Sequence, residues 1–287
     1  MIWLILALLT STLIMVCFKL FPKFGIDNLQ AIATNYIVAF VAGWITVTPS
    51  GPEQLVFSDW FPISIASGVL LMLVFLVFAT STAKVGIAIT SVSSKMSVLI
   101  PVTLGFLVFG ESMQALKIAG ILISLPAFYF IFKKNEHFHL KSALLILPIL
   151  LFLGNGTNDS LLKTAQFFYL RSDNDLVNYL TAAFGIAFCI GISLVIFRSI
   201  RDKKRIEIKN VLAGILLGLL NWYSTLFFLK GLTVVDVTVF IPVFNAGIVW
   251  LGAITGLAFF KEKMGGWNIF GLGLALAAII LIALGNG

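Results

Sequence analysis

Charge is scarce in this chain. Only 11% of its residues are Asp, Glu, Lys or Arg against 60% apolar, and the mean hydropathy is +1.09. A soluble domain carries about a quarter charged residues, so this chain cannot build a water-exposed surface of the usual kind. Cysteine and histidine are as sparse, with two of each. Cys17 and Cys189 lie far apart inside apolar segments without CxxC spacing, which indicates neither a disulfide framework nor a thiolate metal site. His137-x-His139 falls in a basic loop with no third ligand nearby. No histidine lies in an apolar segment, where an intramembrane enzyme would want one beside an acid or a nucleophile. A Walker A loop is missing too, and Gly271-Leu272-Gly273 opens no strand-to-helix phosphate turn. No catalytic residue, cofactor or metal is therefore expected, and no enzyme.

What the chain has instead is apolar sequence in blocks. Leu4–Leu9, Val69–Phe78, Ser142–Leu153, Val211–Leu220 and Leu272–Leu284 are apolar through most of their length, without the one-sided periodicity of a surface helix. A membrane-crossing helix needs roughly 17–25 such residues. The breaks at charged or Gly/Pro-containing stretches divide the chain into ten spans. They run 2–20, 29–48, 60–79, 86–108, 115–132, 142–164, 176–197, 211–229, 236–259 and 266–284. Met1–Leu20 follows no basic n-region and precedes no A-x-A cleavage pattern, so it reads as a retained first span. The expectation is an all-α integral membrane protein, multi-pass in the inner (cytoplasmic) membrane, whose first partner is the lipid bilayer.

Net charge is +7, but the basic residues flank apolar blocks rather than forming a nucleic-acid surface. Fourteen of the nineteen fall in alternate loops, from Lys19 and Lys23 through the Arg198–Lys209 cluster to Lys261 and Lys263. Only Lys117, Lys163, Arg171 and Lys230 fall in the loops between, and Lys95 lies inside a span. Because Lys and Arg are retained on the cytoplasmic side, this bias puts both termini outside, with Trp3, Trp44 and Trp60 near the outer interface.

The chain also resembles itself. Phe109-Gly110-Glu111-Ser112-Met113 matches Phe260-Lys261-Glu262-Lys263-Met264, and Ile118-Ala119-Gly120 matches Ile269-Phe270-Gly271. Leu13–Lys19 resembles Thr157–Lys163, each ending in Lys at a helix end. Five spans per half is an odd number, so residues 1–135 and 136–287 form two five-helix repeats pointing opposite ways. Secondary transporters with inverted repeats keep their substrate sites near the midplane between the halves.

On these residues the chain resembles the drug/metabolite transporter superfamily, EamA type: two five-span halves, Glu111 with Gly120, Glu262 with Gly271, and Lys19 and Lys163 ending the first helix of each half. The resemblance implies export of a small metabolite, an amino acid or related compound; some relatives carry nucleotide sugars or drugs. The family often has a proline upstream of the Glu where this chain has Val98 and Val249, and the prolines here are Pro101 and Pro242. A substrate site is thus not transferable by position.

Candidate site residues come from polar groups at mid-span depth. Lys95 is the sharpest, because an ammonium at mid-bilayer costs roughly 2.5–3.5 kcal/mol on insertion scales. With Ser91 and Ser94 it either faces a central cavity and attracts an anionic group, or forms a structural ion pair. Gly154-Asn155-Gly156-Thr157-Asn158-Asp159-Ser160 is a polar, glycine-rich run inside a span. Asn155 and Asp159 either line a cavity or serve packing, with Asp159 paired to Lys163 one turn on. Asn221, Trp222 and Asn245 bring polar tips and an aromatic wall to the same depth, as in a small-molecule pocket or an interhelical contact. Glu111 and Glu262 read as helix N-terminal caps. Gly214-x-x-x-Gly218 and Gly252-x-x-x-Gly256 permit close helix approach, within one chain or between the copies of a homodimer, with internal packing favoured. The functional expectation is a secondary transporter working by alternating access on a small-molecule solute. The alternative is a non-transporting membrane receptor or structural membrane protein.

Overall fold

A backbone in lipid must satisfy its own hydrogen bonds, and this one does so with helices. A computed structural model describes residues 2–46, 55–110, 114–133, 142–232, 234 and 237–285; it holds no strand among them. The helices are α1 (Ile2–Leu20), α2 (Asn28–Thr46), α3 (Phe61–Lys84), α4 (Ile87–Met96), α5 (Leu99–Phe109) and α6 (Ala115–Phe132). They continue as α7 (Ile146–Phe168), α8 (Asp173–Asp202), α9 (Ile208–Leu232), α10 (Val237–Ile254) and α11 (Gly266–Leu284). Among the described residues nine helical segments are long and apolar enough to cross a membrane, and Val243–Phe259 is a shorter apolar one. The chain is an all-helical, multi-pass membrane protein. Glu111, His137 and His139 lie outside the described residues.

The span expected at 86–108 is present as one segment, Ile87–Val108, in which the helix is interrupted at Ser97 and Val98, between α4 and α5. Pro101 is the cause: without an N–H it cannot bond the Ser97 carbonyl one turn back, so it sits in the first turn of a new helix. α3 and α8 run past their expected ends, to Lys84 and Asp202. α8 also starts three residues before its expected first residue, behind an N-cap at Ser172, whose hydroxyl accepts from the Asp175 N–H at 3.2 Å while the Asp175 carboxylate accepts from the Ser172 N–H at 3.0 Å.

Packing crosses between the halves of the chain. α1 lies on α9 and α7 on α3; α2 lies on α9 and α8 on α3; α1 meets α10 and α7 meets α4. α2 also packs on α8, α4 on α10, and α6 along α11. Glycines set the closest approaches. A Cβ on Gly120 of α6 would come within 2.6 Å of Ile282 on α11, and one on Gly271 of α11 within 2.6 Å of the Ile131 N–H nitrogen on α6. Gly214 and Gly218 of α9 face α2, where added Cβ atoms would come within 2.5 Å of the Ala31 carbonyl and 2.7 Å of Val38. Both are used inside one chain, as are Gly252, against Ser91, and Gly256, against Glu262. The largest core cluster runs from Leu4 through Tyr36 and Met72 to Leu217 and Ile248, drawing on α1, α2, α3, α4, α7, α8, α9 and α10.

Candidate functional site

α3, α7, α8 and α9 leave a cavity of about 170 Å³ between them. Its polar lining is Ser67 (α3), Asn158 (α7), Tyr179 (α8), and Asn221 and Thr225 (α9), and its apolar wall includes Leu71 and Phe184. No charged residue lines it. The Ser67 and Tyr179 hydroxyls hydrogen-bond at 2.5 Å, and the Tyr179 ring stands edge-on to Trp60 at 6.0 Å, so the phenol is held from both ends. Asn221 meets the amide of buried Asn35 at 3.1 Å, and the Thr225 hydroxyl donates to the Asn221 carbonyl at 3.0 Å. Asn158 differs: its buried side-chain oxygen has no hydrogen-bond partner among the described residues. Such an acceptor forfeits about 1–3 kcal/mol unless a water or a ligand donor meets it.

A second polar cluster lies beside the first, where α4 ends. Lys95 is in the last turn of α4, so the helix break set by Pro101 gives its ammonium the negative end of a helix dipole at mid-span. Its Nζ sits 4.9 Å from the centroid of the Phe244 ring. Asp159 is close enough to feel the Lys95 charge, yet the two make no ion pair within 4 Å among the described residues. Asp159 is exposed. An exposed carboxylate at this depth belongs beside water rather than lipid tails. The Asn155 amide donates to the Ser94 hydroxyl at 3.2 Å and to the Leu151 carbonyl at 3.0 Å, tying α7 to α4.

Of the residues singled out in the sequence, Ser94, Lys95, Asn155 and Asp159 converge where α4 meets α7. Asn221 joins the cavity wall. Ser91 is fully buried, donates to the Ala88 carbonyl at 2.8 Å and packs on Gly252, so it serves the α4–α10 contact. Trp222 is 6% exposed and belongs to the core, against Gly43 of α2. Asn245 is half-buried on α10, next to Phe244. Lys163 does not pair with Asp159; its ammonium donates to the Pro101 carbonyl at 3.3 Å. Ser67 and Tyr179 were missed, because a lone hydroxyl in a long apolar run carries no signal until its partner on another helix is known.

Near the opposite end of α4 lies a third polar contact. Glu262, in the turn before α11, accepts from the Ile87 N–H at 2.8 Å and the Ala88 N–H at 3.4 Å, and pairs with the Lys19 ammonium at 2.7 Å. It is a cap, as expected, but on a helix from the other half of the chain.

No family model matches the chain. An uncharacterized protein from Haemophilus influenzae is 27% identical over 291 residues, covering 97% of this chain and 96% of its own length. A solved crystal structure superposes over 97% of this chain and 98% of its own with a TM-score of 0.57 at 13% identity. At that identity the likeness shows the fold alone. What the chain shares with the solved structure is the fold over its whole length, and the chemistry has to be argued from the cavity.

Proposed function

We propose that this protein is a secondary transporter that carries a small polar or amphipathic solute by alternating access, organised as the EamA-type resemblance implies. The observation that carries the reading is the cavity among α3, α7, α8 and α9, walled by helices from both halves and furnished with an amide oxygen that has no hydrogen-bond partner among the described residues. Apolar walls with a few placed polar groups are the usual composition of a small-molecule site. The exchange of neighbours supports an inverted repeat: each contact of α1, α2 and α3 with the second half has a counterpart when α1 is exchanged with α7, α2 with α8, α3 with α9 and α4 with α10. Lys95 and Asp159, where α4 meets α7, carry opposite charges that make no ion pair within 4 Å among the described residues, suited to an ionised group on the solute. Amino acids and related compounds are the first class to test, with export as the direction that the resemblance implies.

The test is reconstitution into proteoliposomes and counterflow against a panel of amino acids and metabolites. At least one solute should exchange faster than in protein-free vesicles. A purified, folded protein that binds a panel member yet translocates none would favour the receptor reading instead. Orientation is tested separately. A C-terminal alkaline-phosphatase fusion should be active and a cytoplasm-dependent fluorescent fusion dark; the reverse pattern overturns the placement of both termini outside.

A further inference from the structure

Glu262 joins two helices of the first half of the chain through one carboxylate, which bonds the α4 N-terminus and the Lys19 ammonium. α10 passes at Thr255–Phe259 into a π turn, and Lys261 takes a left-handed φ of 51°, rare for a side-chain-bearing residue. The Glu262 N–H donates to the Gly256 carbonyl at 2.9 Å, which folds the turn back on itself. The carboxylate then lies on the first turn of α4, at its positive end. Two glycines make the room. Gly86 precedes α4 with φ 120°, a conformation that side chains rarely adopt, and a Cβ there would lie 2.8 Å from the carboxylate. A Cβ on Gly256 would meet the same oxygen. Strained backbone and π turns of this kind gather at functional positions.

Its location says what it could do. Lys19 ends α1, Lys84 ends α3, and Lys261 and Lys263 flank Glu262, so the contact lies at the basic face of the molecule. The cavity residues lie between mid-span and the opposite face: Ser67 follows soon after the start of α3 at Phe61, Tyr179 soon after the start of α8, and Thr225 in the last third of α9. The contact joins α1 and α4, from the first half of the chain, to a turn of the second. Another polar cluster crosses the halves at the basic face: Arg198 donates to Asp27 at 2.9 Å and Asn210 to Gln30 at 2.8 Å. That one ends an interface of α2 with α8 and α9 that is glycine-tight along its length, at Gly43, Gly185, Gly214 and Gly218. It has the character of a fixed joint. The Glu262 contact is one partly exposed carboxylate, 13% accessible, with a lysine 19% accessible, which water can replace.

We propose that the carboxylate of Glu262, seated on the α4 N-terminus and paired with Lys19, is the gate contact that closes the basic face of this protein. The proposal rests on the transporter reading for its purpose. In its mechanics it needs only that this end of α4 be sealed while Glu262 is seated. α4 carries Ser94 and Lys95 at its other end, so releasing its N-terminus exposes the path from the basic face to those residues.

Ser93 provides a reporter. It is fully buried on α4 between the contact and Lys95, and its hydroxyl has no hydrogen-bond partner among the described residues, so Ser93→Cys removes no bond. With Cys17→Ala and Cys189→Ala as background, the thiol is labelled by a membrane-impermeant methanethiosulfonate applied to one face at a time. With Glu262 intact, labelling from the basic face should be slow. Glu262→Ala and Lys19→Met should each raise it by about tenfold or more, the factor set by losing a charge-assisted bond, and leave labelling from the opposite face unraised. Lys19→Arg, which keeps the ion pair, should restore the slow rate, and Asp27→Ala should leave it slow. Unchanged labelling in folded Glu262→Ala protein overturns the proposal, as does equal acceleration from both faces, which marks general loosening. Labelling needs no transported solute, so an empty counterflow panel together with the predicted labelling would remove the transporter reading and leave the gate standing.

Discussion

Replacing Lys95 with methionine removes the ammonium and keeps most of the side-chain volume. Two forces hold the charge in place. The Phe244 ring at 4.9 Å contributes about 0.5–2 kcal/mol as a cation–π contact, and the C-terminal end of α4 about 0.3–1 kcal/mol. Against them stands the roughly 2.5–3.5 kcal/mol cost of a cation at mid-membrane depth. Their sum, about 0.8–3 kcal/mol, falls short of that cost by about 1 kcal/mol at mid-range, so Lys95→Met should change stability by about 1 kcal/mol, in the stabilising direction, a shift of roughly 2–4 °C in a domain of about 150–250 residues. A structural ion pair predicts something else: stranding the partner of a buried pair costs about 3–5 kcal/mol. Asp159 is not within ion-pair distance, which is why the smaller figure is expected. Thermal unfolding in detergent and counterflow at matched reconstituted protein should therefore separate, with the melting point nearly kept and transport lost. Lys95→Arg retains the charge but not the geometry of the donor and should rescue in part. A fall in melting point of more than about 10 °C would place Lys95 in the scaffold, and wild-type rates in well-folded Lys95→Met protein would end its role in recognition.

Asn158→Leu should raise thermal stability, by up to about 1–3 kcal/mol, because it deletes an unpartnered acceptor, while solute binding weakens; a loss of both would show that the amide is structurally paired. Trp222→Ala should cost about 3–5 kcal/mol, read as lost thermal stability, since the indole is core; a small loss with abolished transport would return it to the cavity wall. Gly218→Val should destabilise the monomer by about 1–3 kcal/mol through overpacking against Val38. Unchanged melting with a shift in oligomeric state by light scattering would make that glycine an interface between copies.

Much of the architecture was legible because lipid imposes a simple rule. An apolar block long enough to cross must be a helix, so α1, α2, α6 and α11 fall within two residues of their expected ends. The ends of α3 and α8 were less legible, because a helix can run on into polar surroundings once capped, and hydropathy reports the lipid boundary rather than the last hydrogen bond. The break at Ser97 was written in Pro101, four residues further on in a mostly apolar run. Of the site, the α4–α7 junction was readable because charge and amide groups are costly in a span and so stand out. Ser67 and Tyr179 were not, since each is cheap alone and acquires meaning only by meeting across helices. Glu262 and Lys19 were each noticed, one as a cap and one as a helix end. That they touch depends on how the two halves face one another, which no spacing along the chain records.

The π turn at Thr255–Phe259 makes chain length itself a constraint. A π turn holds one residue more than the α-helical turn it replaces, and here that residue lies on the stretch that carries Glu262 back to the Gly256 carbonyl. Deleting a single residue between Thr255 and Phe259 would let the turn close as an ordinary α-helical one and shorten that stretch by a residue, drawing Glu262 away from Ile87 and Lys19. Every side chain would still be present. The segment should therefore tolerate substitution far better than a change in its number of residues.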